Sequence, residues 1–148
     1  MRYSQEIIWC FPCQVCHLDL SGALQIATMM LESGADVTAV DSAGYNVVHG
    51  IVAMCKMTPT SETKMQGAFN WLLSNLNTAA ITTLMTMENH CGFRPLEFAA
   101  QQDCLTLFAH LLMTPTVYVT KKEAIGLACY WWIDVTEYER GVTSHLCR

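Results

Sequence analysis

The stretch of sequence that decides the fold runs from Asp41 to Ala53 and reads DSAGYNVVHGIVA. A second stretch, from Asn89 to Gln101, reads NHCGFRPLEFAAQ and repeats the same order of residue types. Each begins with a turn-forming residue, has a glycine three positions later and continues as a short apolar segment. The glycines suit a turn that needs a positive φ angle, and Pro95 suits the first position of a helix. The sequence therefore predicts a repeated turn-and-helix unit.

A second helix is expected beside each of these turns. Residues Leu24–Leu31 precede the first stretch and Leu105–Leu112 follow the second, both with apolar residues at helical spacing. Gly34 is placed to end the earlier helix in the left-handed conformation. Two helices and a turn cannot bury an apolar face alone, so such units have to stack. We expect a mainly α-helical solenoid of two to three helix-turn-helix units.

This spacing resembles the ankyrin repeat, whose pattern is D-x-x-G-x-T-P-L-H-x-A-A followed by a second helix that ends L-L-x-x-G-A-D. In that resemblance Asp41 opens a repeat, and His49 takes the histidine position, which implies a structural hydrogen bond. The second stretch has Arg94 in place of threonine and Glu97 in place of histidine. We therefore expect a weaker helix cap there and the loss of the inter-repeat histidine bond. The repeats are expected over residues 1–113: a degenerate repeat at 1–40, one with insertions at 41–88 and the last at 89–113.

The two turn glycines, Gly44 and Gly92, are 48 residues apart, well beyond the ankyrin period of about 33. We expect the additional residues in two places. Lys56–Thr63 is predicted to be a polar loop, and Asn77–Glu88 a long finger whose threonine-rich part could form a short hairpin at Ile81–Met87. Between them, a helix is predicted over about Lys64–Leu76.

One combination of features identifies a family more specifically than the repeat pattern alone. It consists of the insertion, the bulky helix, the long finger and the sequence GFRPLEFAA. Over about Leu24–Met113 it resembles the last two cytosolic ankyrin repeats of vanilloid-type transient receptor potential (TRP) channels. Those channels carry D-x-x-G-N-T-V-L-H-A-L-V and then G-L-T-P-L-x-L-A-A at the equivalent places. Residues 114–148 concentrate Tyr, Trp, Val and Ile and predict a short β-rich tail. That tail is similar in position to the β-strand linker that follows the repeats in the TRP family.

Composition limits the classes of function. Of the 148 residues, 14% are charged and the net charge is −5, so no basic stripe is available for a nucleic-acid backbone. The longest apolar run, Ala124–Ile133, is about half of what a membrane-spanning helix requires. With no secretion signal visible, we expect the chain on the cytosolic side with reduced cysteines.

Four potential metal ligands lie close together near the N-terminus: Cys10, Cys13, Cys16 and His17. Residues 13–17, which read CQVCH, match the C-x-x-C-H pattern of c-type haem attachment, which takes place outside the cytosol. Zinc is a second alternative, although structural zinc usually joins two separated ligand pairs. The third is that cysteines at i, i+3 and i+6 act as small buried hydrophobes on one helix face. We favour the third and expect neither a metal nor a cofactor.

The TRP resemblance implies a cytosolic piece of a homotetrameric cation channel that mediates subunit contacts and regulation of gating. The alternative is a soluble ankyrin-repeat adaptor, and in both cases the partners are proteins. The candidate contact residues are Tyr45, Lys56, Glu62, Thr83, Trp131 and Trp132. The two tryptophans are adjacent, so in a strand they face opposite ways and at least one needs a separate partner surface.

We expect no enzymatic activity. His49, His90 and His110 are spread over different units, and no Ser or Cys nucleophile lies in a recognisable motif.

Overall fold

The structure is a computed structural model, and it describes residues 20–55, 61–125 and 128–136. This part of the chain is mainly helical, with one small antiparallel sheet. The helices are α1 (Leu20–Glu32), α2 (Val47–Met54), α3 (Ser61–Asn75), α4 (Thr78–Thr86), α5 (Pro95–Gln101) and α6 (Leu105–Leu112). The strands are β1 (Val119–Ile125) and β2 (Ala128–Ile133).

The helices form a connected set of packed pairs. Helix α2 packs against α5, and α3 packs against both α1 and α6. Each short helix also packs against its longer neighbour, α2 against α3 and α5 against α6, and α4 contacts α2, α3 and α5. The core between them is made of large apolar side chains with essentially no exposed surface: Ile51, Met65, Phe69, Leu84, Met85, Leu96, Leu107 and Leu111.

The predicted signals at the ends of the helices are confirmed. Asn46 caps α2, because its side chain accepts hydrogen bonds from the backbone N–H groups of Val48 and His49 at 3.0 and 3.1 Å. Pro95 is the first residue of α5. Gly34, just beyond α1, has a φ of 79°. At the start of α5, one of the two hydrogen bonds of a capping box is present: the Glu97 carboxylate accepts from the Arg94 N–H at 3.0 Å.

The prediction of a finger with a short hairpin at Asn77–Glu88 is wrong, because most of this segment forms the helix α4. Asn77 caps this helix by accepting from the Ala80 N–H at 2.8 Å. The apolar residues Ile81, Leu84 and Met85 recur at helical spacing and are buried, and this burial outweighs the strand preference of the threonines. The threonine hydroxyls bond back to carbonyls one turn earlier instead.

The predicted second helix is confirmed but begins earlier than expected. Helix α3 starts at Ser61, so the end of the predicted polar loop Lys56–Thr63 is helical, and residues 56–60 lie outside the described residues. Met65, Phe69 and Leu72 form its buried face, as their spacing predicts.

A β-hairpin follows the helices, as expected for a β-rich tail. Its strands pair antiparallel, with Lys122 opposite Trp131 and Lys121 opposite Trp132. The base of the hairpin is fixed to the helical part through Tyr118, which is buried in the core and whose carbonyl accepts from the Asp134 N–H at 2.8 Å. None of the helices in the described ranges has the length and apolar character needed to span a membrane.

Candidate interaction surface

The two predicted turns have the same geometry. In the first, the Asp41 side chain accepts from the N–H groups of Ala43 and Tyr45, both at 2.8 Å. In the second, the Asn89 side chain accepts from the N–H groups two and four residues later, at 2.9 and 3.0 Å. The glycines match as well, with φ of 76° at Gly44 and 78° at Gly92. The similarity of the two sequence stretches is therefore a similarity of structure.

The turns are stacked directly on each other. The His90 N–H donates to the Ala43 carbonyl at 3.0 Å, which joins the second turn to the first. Gly44 lies in this contact: a Cβ atom there would be 2.6 Å from His90 Cδ2 and 2.8 Å from its backbone nitrogen. The first turn therefore needs glycine both for its φ angle and for the close approach of the second.

His49 is the main polar link between the two turn-and-helix units. Its Nδ1 accepts from the Asn46 N–H at 3.4 Å, so Nε2 carries the proton and donates to the Phe93 carbonyl at 2.9 Å. Burial lowers the pKa of the imidazole, against smaller raising effects of the Phe93 carbonyl and the Asp41 carboxylate. The ring is therefore neutral at pH 7, in a structural role.

The candidate contact residues on the helical part are in different environments. Tyr45 is half-buried, with its ring stacked on His49 and 5.1 Å from the ring of Phe98. Its position gives it a role in packing the two units together. Glu62 is half-exposed in the first turn of α3, and Thr83 is exposed on α4 with its hydroxyl bonded to the Ala79 carbonyl at 2.9 Å. Lys56 lies outside the described residues.

Trp131 and Trp132 lie on the hairpin, each with 44% of its surface exposed. Each ring is covered on one side by the lysine opposite it in β1. Lys122 Nζ lies 4.4 Å from the Trp131 ring centroid and Lys121 Nζ lies 4.6 Å from that of Trp132. Adjacent residues of a strand face opposite sides, so the hairpin presents an aromatic and a basic side chain on both faces.

The hairpin is also open along its edges. In the described part of the chain its sheet has only two strands, so each strand has an unpaired edge. Tyr130 and Ile125 add further exposed apolar surface, with 50% and 60% of their areas accessible. Exposed edges combined with exposed aromatic side chains are typical of surfaces that bind another protein chain.

The cysteine cluster proposed from the sequence, Cys10, Cys13, Cys16 and His17, lies outside the described residues. Within the ranges that are described, no group of three or more His, Cys, Asp or Glu side chains is placed to hold a metal ion.

Comparison with known proteins finds similarity to vanilloid-type channels. Over 91 residues, which are 62% of this chain, it is 29% identical to transient receptor potential cation channel subfamily V member 5 of the rat, Rattus norvegicus. It is 28% identical to the rabbit (Oryctolagus cuniculus) member 5 over 92 residues and to rat subfamily V member 6 over 91 residues. The matched region spans only 11–12% of the length of these relatives. No family profile matches the chain, and no solved structure matches it.

Proposed function

We propose that this chain is part of the cytosolic region of a vanilloid-type TRP cation channel, where it makes contacts between neighbouring subunits and takes part in regulating gating. The observation that carries the proposal is the similarity to subfamily V members over 62% of the chain. On this proposal the parent protein is a membrane-embedded homotetramer and the chain lies on its cytoplasmic side.

The helical part is, on this proposal, an ankyrin-type stack. Three features support this: two turns of matching geometry, a hydrogen bond that joins them, and a histidine bond between successive units. Repeat stacks transmit force along their length because each unit contacts only its neighbours. The proposed role is therefore mechanical and not catalytic, which agrees with the structural hydrogen bonds of His49 and His110.

The hairpin is the proposed subunit contact. Trp131 and Trp132 carry most of its exposed aromatic surface, and burying such side chains against a partner provides much of the free energy of typical interfaces. The lysine opposite each tryptophan places an ammonium group over one side of its ring and leaves the rest of the exposed ring surface for a partner.

Light scattering on the full chain tests this role. We expect the wild-type chain, of 16.5 kDa, to self-associate with rising concentration, and the double variant Trp131→Ala/Trp132→Ala to weaken association at least about tenfold. Leu105→Ala removes an apolar side chain that is 72% exposed on α6 and serves as the matched control, with association unchanged. Equal association of the wild type and the double variant would refute a contact through the hairpin.

The second candidate is a soluble ankyrin-repeat adaptor that binds a different protein. The exposed hydroxyl of Thr83 and the carboxylate of Glu62 favour a polar partner surface on the helical side. A wild-type chain that stays monomeric at every concentration would favour the adaptor over the subunit contact.

A further inference from the structure

The hairpin formed by β1 and β2 is attached to the helical part at its base and projects from it. Every residue of β2 from Ala128 to Trp132 is exposed, whereas the last residue, Ile133, packs against the core. At the base, Tyr118 is buried and its carbonyl accepts from the Asp134 N–H at 2.8 Å. The position of the whole hairpin therefore depends on the residues at its base.

The chain reverses tightly where it passes from α6 into the hairpin. Thr114 and Tyr118 are both buried, and the Thr114 carbonyl accepts from the N–H groups of Tyr118 and Val119 at 3.3 and 3.4 Å. Both distances exceed the range of about 2.7–3.2 Å that is usual for such bonds. The turn is thus closed by weak hydrogen bonds between two buried side chains.

Thr116 lies in the middle of this turn with a φ of 67°. L-residues avoid this region because Cβ approaches the following carbonyl oxygen, and a β-branched residue is a genuine outlier there. The other non-glycine residue with a positive φ in the described part of the chain is Asp103, at 51°, and aspartate tolerates this conformation. Thr116 is exposed, so the packing of its own side chain does not select it. The buried residues on either side impose the strain.

The strained turn borders a groove of about 270 Å³. The groove is lined by Thr82 and Thr86 of α4 and also by residues 116–118 of the turn. Protein interiors contain few voids larger than a water molecule, so the junction is not close-packed on this side. The base of the hairpin therefore has space in which to change its position.

We propose that the hairpin is a movable arm, which swings as one body about the turn at Thr116 between the position in the structure and a second one in which Thr116 has a negative φ. The strain lowers the preference for the first position by a factor of about 5–30. A partner that binds one of the two positions more tightly then shifts the arm. The movement can be measured on the chain alone, and only its consequence for the subunit contact rests on the proposed function.

Relaxation-dispersion NMR of the full chain tests the proposal, because it detects states that interconvert in microseconds to milliseconds. We expect the backbone amides of β1 and β2 to share one exchange process, with a single rate and a minor population of about 1–10%, that the amides of α2, α3 and α5 lack. Thr116→Gly removes the penalty of a positive φ, so the minor population should fall about threefold to tenfold. Absence of the process in the wild type, different rates in the two strands or an unchanged population in Thr116→Gly would overturn the proposal.

Three further variants separate the strain from other effects. Thr116→Asn introduces a residue type that tolerates a positive φ and should also lower the minor population. Thr116→Val keeps the β-branched side chain but removes the hydroxyl that donates to the Pro115 carbonyl, and the minor population should be at least that of the wild type. Asp103→Gly is the matched control at the other positive φ angle and should leave the process in the hairpin unchanged. Circular dichroism verifies the folding of each variant. A fall in Thr116→Val as large as that in Thr116→Gly would refute the role of strain.

Discussion

His49 Nε2 lies 2.9 Å from the carbonyl oxygen of Phe93, 44 residues later in the sequence, so a buried imidazole joins the two turn-and-helix units. The same ring completes the cap of α2 through its Nδ1 and stacks on Tyr45. One side chain thus fixes the start of its own helix and the position of the next unit.

Replacing His49 should destabilise the fold strongly. His49→Ala leaves the Phe93 carbonyl and the Asn46 N–H without this partner and opens a cavity, at a cost of about 2–4 kcal/mol in the free energy of unfolding. His110→Ala is the control, because His110 makes a more exposed bond to Asn70 at 2.8 Å, and it should cost less than about 1.5 kcal/mol. Urea denaturation measures both; equal losses would contradict the linking role of His49.

The stability of the fold should depend on pH through His49. Burial holds its folded-state pKa below the ordinary histidine value of 6.5, so the unfolded chain takes up a proton first as the pH falls. The contribution to stability is complete above pH 6.5 and is lost as the pH falls through the lowered folded-state pKa, with a slope of at most about 1.4 kcal/mol per pH unit. His49→Gln keeps a capping side chain but does not titrate. Its unfolding free energy should fall less over this range, and a slope as steep as the wild type's would rule out His49 as the cause.

Asn46 and Asn77 provide a matched pair of helix caps. The Asn46 amide also donates to the Leu84 carbonyl at 2.7 Å in the interior, whereas Asn77 caps α4 at the surface. Asn46→Asp should cost about 2–3 kcal/mol because a buried carboxylate would face a carbonyl. Asn77→Asp should be neutral or stabilising by up to about 1 kcal/mol, since a negative charge favours a helix N-terminus. Thermal unfolding distinguishes them, and a harmless Asn46→Asp would disprove the contact with α4.

Gly44 and Gly34 separate the effect of backbone conformation from that of close approach. Both have positive φ angles, so an alanine costs about 1–2 kcal/mol at either position. At Gly44 the new Cβ would also overlap His90, while at Gly34 no described atom lies within 4 Å. Gly44→Ala should therefore be less stable than Gly34→Ala by about 1–3 kcal/mol in chemical denaturation. Similar losses would show that the two turns do not touch.

Local signals in the sequence were sufficient to predict the turns and most of the helices. Gly44, Asn46 and Pro95 each have a conformational preference that acts within a few residues, and the structure agrees with it at all three. The helix α4 was missed because its threonines favour strands locally, and only the buried spacing of Ile81, Leu84 and Met85 reverses that preference.

The contacts that form the surfaces of the protein could not be predicted from the sequence, because they depend on the tertiary structure. Tyr45 was predicted from the sequence as a contact residue, and nothing local in the sequence shows that its ring centroid lies 5.1 Å from that of Phe98. The approach of Arg94 to the base of the hairpin, where both it and Asp134 line a groove of about 270 Å³, is equally invisible because the two residues are 40 positions apart in the sequence. By contrast, the opposite orientation of Trp131 and Trp132 follows from strand geometry alone.

The measurement that tests the central claim most directly is the sequence of the transcript that encodes this chain, read beyond Arg148. A vanilloid-type channel subunit requires a coding sequence that continues into six apolar segments of about 20 residues each, enough for membrane-spanning helices. We predict that these segments are present. A stop codon directly after Arg148 in independent transcripts would contradict the claim for this product.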